Sequence, residues 1–201
     1  MSDFVAFMEL GFRHIVAWDA ADHILFLLVL AAIYRGRDWR AALLVISAFT
    51  VGHSVTLLLA VMNVLVLPSA MVEFLIPVTI VATAVENIWL RERAAAGASA
   101  RHRPIFAVIF GLVHGAGFAG YLRSLFMDDI TVPLLGFNVG IELGQIVVLS
   151  AAAALYVAVD GALHRLPRRA HWPDAFQLRV ISVSATIAII ATGWAAERFP
   201  R

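Results

Sequence analysis

The sequence predicts an all-α, polytopic membrane protein: a bundle of about six transmembrane helices with both termini outside. Three observations carry this expectation. The 201 residues are 62% hydrophobic and only 14% charged, with a mean hydropathy of +0.88, too few charges to cover a soluble domain of this size. The apolar residues fall into blocks of about 20, the length a helix needs to cross a hydrocarbon core. The arginines gather on alternate connectors. The blocks are continuous and do not alternate apolar with polar, which disfavours a closed barrel.

The blocks run roughly over 15–34, 41–66, 70–90, 104–126, 132–159 and 177–196. Short connectors join them, so residues 1–201 read as a single transmembrane helical domain. Residues 1–14 lack the basic region and cleavage site of a signal peptide. They read as a short interfacial segment, with Phe4, Phe7, Met8 and Phe12 available to lie at the membrane surface. The connectors after blocks one, three and five hold eleven arginines, from Arg35, Arg37 and Arg40 to Arg165, Arg168, Arg169 and Arg179, against four on the other side. The positive-inside rule makes the arginine-rich connectors cytoplasmic, and Asp128 and Asp129 then lie in an outer loop.

The first block sets the functional question. Its uninterrupted apolar stretch, Ile24 to Tyr34, is too short to span, and Arg35 and Arg37 stop it. Reaching about 20 residues at 1.5 Å each pulls its start back to near Ile15. Asp19, Asp22 and His23 are thereby carried into the membrane. Each such group costs at least about 2.5 kcal/mol at the centre of a lone helix, so it calls for a reason.

The later blocks add to the count. Block two, "SAFTVGHSVT", sets Ser47, Thr50, His53 and Ser54 on one stripe. Block three has Glu73 near its outer end, and Thr79, Thr83, Glu86 and Asn87 on one face towards its inner end. Block four, "FGLVHGAGFAG", holds His114 near mid-depth among glycines. In block five Asn138, Glu142 and Gln145 share one face, and Gly136, Gly140 and Gly144 lie on the opposite side. Small residues at that spacing admit a close neighbour, so the helix is expected to pack tightly on one face and offer polar groups to a cavity on the other. The glycine stripe fits internal packing or a homo-oligomer equally well.

Blander readings exist for many of these groups. Ser47, Thr50, Thr79 and Thr83 can satisfy themselves on carbonyls of the preceding turn. Glu86 can snorkel towards the Arg91 region, and His102, His164 and His171 read as solvated. Intramembrane histidines from separate blocks, together with Asp22 and Glu142, point instead to a shared site. Imidazole plus carboxylate is a donor set for Ni²⁺, Zn²⁺ or Co²⁺. With no cysteine in the chain, thiolate ligands and disulfides are excluded together. All fifteen basic residues are arginine, and the formal net charge of +1 gives no hint of a nucleic-acid partner.

Five blocks, in order, resemble the signatures of the HupE/UreJ family: "GFRHI…DHILFLL", "FTVGHSVTL", "VEFLIPVTIVATAVEN", "FGLVHGAGFAG" and "FNVGIELGQ". The resemblance covers roughly residues 10 to 150 and looks closer to the second branch of the family. It implies a bacterial inner-membrane, multi-pass protein of the nickel or cobalt permease kind, with the family's His-to-Asp-His motif at His14, Asp22 and His23 and its HG motif at His114 and Gly115. Seven residues, "IVAWDAA", separate His14 from the pair where the family usually has five or six, which brings Asp19 forward as an alternative ligand, i, i+4 from His23.

Two classes of function follow. In the first, a divalent cation, nickel foremost and zinc or cobalt as alternatives, passes through the bilayer. Asp22, His23 and either Asp19 or His14 take it up, and His53, His114 and Glu142 receive it. Glu73 guards the outer mouth, Glu86 and Asn87 stand on the exit side, and Ser54, Asn138 and Gln145 support the polar path. In the second, the same ligands form a zinc-type intramembrane hydrolase, with Glu142 or Asp22 as base and Ser54 or Asn138 steadying an oxyanion.

Overall fold

The computed structural model describes residues 3–17, 20–65, 67–95, 102–125, 130–165 and 173–200. Seven α-helices account for nearly all of them: α1 Asp3–Val16, α2 Ala21–Ala31, α3 Trp39–Val61, α4 Ser69–Ala95, α5 Arg103–Leu125, α6 Thr131–His164 and α7 Ala175–Glu197. Among the described residues there is no strand. Four segments are long and apolar enough to cross a membrane: Gly36–Val61, Ser69–Glu92, Thr131–His164 and Ala175–Glu197. The pair α1 and α2, taken as one broken span, makes a fifth. With α5, these are the six blocks read from the sequence, in the same order.

Local chemistry sets the helix ends. Asp174 accepts a hydrogen bond from the Gln177 amide (2.7 Å), and the Gln177 side chain accepts from the Asp174 amide (3.2 Å), a reciprocal cap that starts α7. Asn63, at φ 59°, closes α3 in a left-handed conformation that asparagine tolerates. Asp22 sits in the first turn of α2, where its carboxylate takes the His23 amide at 2.9 Å, one of the donors every helix leaves unpaired at its N-terminus.

That start changes the reading of the first block. It is not one straight helix from Ile15: the chain breaks between Val16 and Ala21, and α1 and α2 meet at a bend of 68°. Residues 3–16 differ from an interfacial segment too, because α1 lies along α6. A methyl group on Gly11 would run into the Phe137 carbonyl, one on Gly136 into that of Phe4, and one on Gly140 into that of Met8. The glycine stripe of α6 is therefore the seat of α1.

A second seat joins α3 to α5. A side chain at Gly52 would strike the Val108 carbonyl, one at Gly111 that of Phe49, and one at Gly115 that of His53. Alongside these two pairs, α4 and α7 form a third, and α2 touches α4, α6 and α7. The end of α2 is fastened by side chains: Tyr156 Oη donates to the Leu28 carbonyl (2.7 Å) and Asn87 Nδ2 to that of Val29 (2.5 Å). The core shared by the helices includes Ile15, Phe26, Leu27, Ile46, Phe49, Leu57, Ile80, Phe137 and Ile141.

The seats make a contrast that can be measured. Gly140→Ala should destabilise the protein by about 1–3 kcal/mol through overpacking. Gly161→Ala, in a helical position with nothing within 4 Å of the added carbon, should be neutral or gain up to about 1 kcal/mol. Thermal unfolding in mild detergent should show the two shifts in opposite directions.

Candidate metal centre

Four imidazoles from four helices meet inside the bundle. His14 ends α1, His23 opens α2, His53 lies in the middle of α3, and His114 lies in α5 one residue before Gly115. The seat of Gly115 on the His53 backbone is what draws α3 and α5 together there. His23 is central, with ring centroids 4.5 Å from His14, 5.4 Å from His114 and 6.2 Å from His53. His14 and His53 are 5.8 Å apart. The histidines of α2, α3 and α5 are buried, at 5%, 0% and 1% exposure.

Hydrogen bonds decide which ring nitrogens are free. Asp22 Oδ1 lies 3.1 Å from His23 Nδ1. The carboxylate can only accept, so Nδ1 carries the proton, and in the neutral ring Nε2 is the nitrogen with the lone pair. The Thr79 hydroxyl donates to the Ile76 carbonyl (2.7 Å) and lies 3.1 Å from His114 Nε2. Its one proton is committed, so it accepts from Nε2–H and leaves His114 Nδ1 as the open nitrogen. Among the described residues, none hydrogen-bonds His14 Nε2, His23 Nε2, His114 Nδ1 or either nitrogen of His53, and all five are buried.

Five orphaned nitrogens in one place are unusual, since a buried polar group left unpaired costs about 1–3 kcal/mol. Aromatic rings close the surroundings: Phe26 and Phe49 lie 5.2 and 5.1 Å from His114, Phe118 4.1 Å and Phe137 5.6 Å from His14. The polar opening is Asp22, whose side chain is 21% exposed.

Among the described residues, no three His, Asp or Glu side chains stand ready in a metal-binding arrangement. The spacing is nevertheless of the right order. Imidazoles that share one ion at about 2.0–2.1 Å have ring centroids roughly 4.5–5.2 Å apart, close to two of the separations here. Ring rotation is the adjustment required. The Asp22–His23 pair has the carboxylate–histidine form that orients a ligating imidazole, and Thr79 does the same for His114.

The remaining expected site residues lie elsewhere. Glu142 accepts from Ser47 Oγ at 3.4 Å. Gln145 Oε1 accepts from Thr50 (3.0 Å), and Asn138 Oδ1 from Ser54 (2.8 Å). The polar face of α6 thus bonds the polar stripe of α3 in a ladder. Glu73 is exposed on the outer part of α4. Glu86, at the other end of α4, is bonded to His102 Nε2 at 2.6 Å, so His102 is not simply solvated. Asp19 and His171 lie outside the described residues, as do Asp128 and Asp129.

The back-bonding expected of the hydroxyl residues is present: Thr50 donates to the Ile46 carbonyl, Thr79 to that of Ile76 and Thr83 to that of Thr79. Sequence reasoning missed two features. The aromatic enclosure had no signal beyond scattered phenylalanines. Arg103, which is buried, was read only as part of an arginine-rich cytoplasmic connector. Gly111 and Gly115, four apart, were the available signal for the α3–α5 seat.

No curated relative and no solved structure matches the chain. A family model described as HupE / UreJ protein matches residues 1–198, well beyond the stretch whose motifs suggested it. The chain belongs to the HupE/UreJ family, multi-pass membrane proteins associated with nickel and cobalt transport.

Proposed function

We propose that the protein carries a divalent transition-metal cation, nickel foremost, across the bacterial inner membrane through the histidine cluster. The observation that carries this reading is the set of five buried imidazole nitrogens with no hydrogen-bond partner among the described residues. Neutral imidazole suits Ni²⁺, Co²⁺ and Zn²⁺ alike, and the family's association favours the first two. On the arginine pattern, Asp22 faces the outside. Its carboxylate attracts the cation, and His14, His23, His53 and His114 replace water molecules as the ion sheds its shell. Exchange requires that this binding be strong enough to dehydrate the ion and loose enough to release it. A site with no preformed tight geometry is compatible with that demand.

Beyond His114 the polar groups continue along α4. Thr79, Thr83 and Asn87 are buried at intervals of four residues, one face of a helix. From Thr79 to Asn87 the rise is about 12 Å. This column favours passage over catalysis. The hydrolase reading lacks its parts: Ser54 and Asn138 bond each other, Glu142 is on the α3–α6 ladder, and Asp22 is engaged with His23.

Two outcomes are expected. In proteoliposomes, His23→Ala and His114→Ala should each lower Ni²⁺ uptake by roughly tenfold or more, since even loss of an orienting partner costs about 10–100-fold in metal affinity. Uptake at the wild-type rate in both variants would remove the proposal. Glu142→Gln, by contrast, should leave uptake within about twofold, because its contacts lie on the α3–α6 seam. A loss as deep as that of His23→Ala would return Glu142 to the ion's path.

A further inference from the structure

The polar column of α4 ends on a fixed positive charge. Asn87, fully buried, donates from Nδ2 to the Val29 carbonyl of α2 (2.5 Å) and to Ser184 Oγ of α7 (3.4 Å). Its Oδ1 accepts from Arg103 Nη1 at 2.9 Å. Arg103 is 4% exposed. Its Nη2 lies 3.6 Å from Glu86 Oε2 and has no hydrogen-bond partner among the described residues, and its guanidinium sits over the Tyr34 ring at 5.3 Å. The other oxygen of Glu86 binds His102.

This placement is not explained by helix stability. Arg103 is the first residue of α5, the end where the helix dipole disfavours a cation. Arginine is normally kept in water or fully paired when buried. Here the charge is held inside by an amide oxygen, a carboxylate at ion-pair distance and an aromatic face. Those two oxygens are also the hard donors nearest the end of the column, where a divalent cation leaving the histidines would next find ligands.

We propose that Arg103 is the inner stopper of the cation route. Its guanidinium occupies the Asn87 and Glu86 oxygens in place of the cargo, and a divalent cation leaves only by displacing it from them. Without an ion in the column the route is closed by charge as well as by bulk. The arriving ion repels the guanidinium and takes over its oxygens. This rests on the transport reading above and assigns the group that regulates release.

The test is Ni²⁺ uptake into proteoliposomes holding a metal-sensitive dye, beside equilibrium Ni²⁺ binding to the purified full-length protein. Arg103→Gln should raise the initial rate at least threefold without weakening Ni²⁺ binding. Arg103→Lys, which keeps the charge, should stay within twofold of wild type. Tyr34→Leu, which removes the aromatic face and serves if Arg103→Gln does not fold, should raise the rate by a smaller factor. If wild type transports and His23→Ala abolishes transport, yet Arg103→Gln or Tyr34→Leu matches or falls below the wild-type rate, the stopper is refuted and the transport reading stands. If wild type moves no Ni²⁺, both fall together.

Discussion

Contact between the backbones of paired helices is the constraint on which the rest of this bundle depends. In a bilayer the lipid tails are as apolar as leucine, so close packing must hold helices together in place of a hydrophobic drive. Gly136 and Gly140 let α1 onto α6, and Gly52, Gly111 and Gly115 let α3 onto α5. The second seat puts the His53 backbone against Gly115, the residue after His114. The first carries His14 to the inner wall near Phe137. The histidines are neighbours because no side chain keeps their helices apart.

The same arrangement explains why the carboxylates are distributed as they are. Neutral imidazole can be enclosed by phenylalanine rings at the cost of unmade hydrogen bonds, whereas an enclosed carboxylate must also be desolvated as a charge. Asp22 is accordingly left partly open and supported by His23. Glu142 is half-buried on a seam with Ser47, and Glu86 lies beside the start of α5, next to Arg103 and His102. Polar pairs between α3 and α6 give those helices a register that apolar contact alone would not.

Much of this was legible in the sequence. Block length and hydropathy gave the helices, since a membrane imposes one length scale. The i, i+4 glycines of α6 announced a close neighbour, although not that the neighbour would be α1. His23, His53 and His114 were recognisable because a bilayer makes such groups conspicuous. Periodicity placed Glu142 on a polar face, and only the packing reveals that this face meets Ser47, Thr50 and Ser54. The break before Ala21 was hidden because its cause is the three-dimensional fit of α1 against α6. Arg103 was obscured by its neighbours in a basic stretch.

Stiffness in the cluster is uneven. His14, His53 and His114 belong to helices gripped by glycine seats, where a single added methyl group is resisted. His23 rides on α2, an eleven-residue helix held by side-chain packing and by the hydroxyl and amide of Tyr156 and Asn87 at its far end. Modest changes in side-chain volume along α2 can therefore reposition one imidazole while three stay put. A lineage reshaping the histidine cluster would find its working dial in that short helix, and would find the glycines frozen.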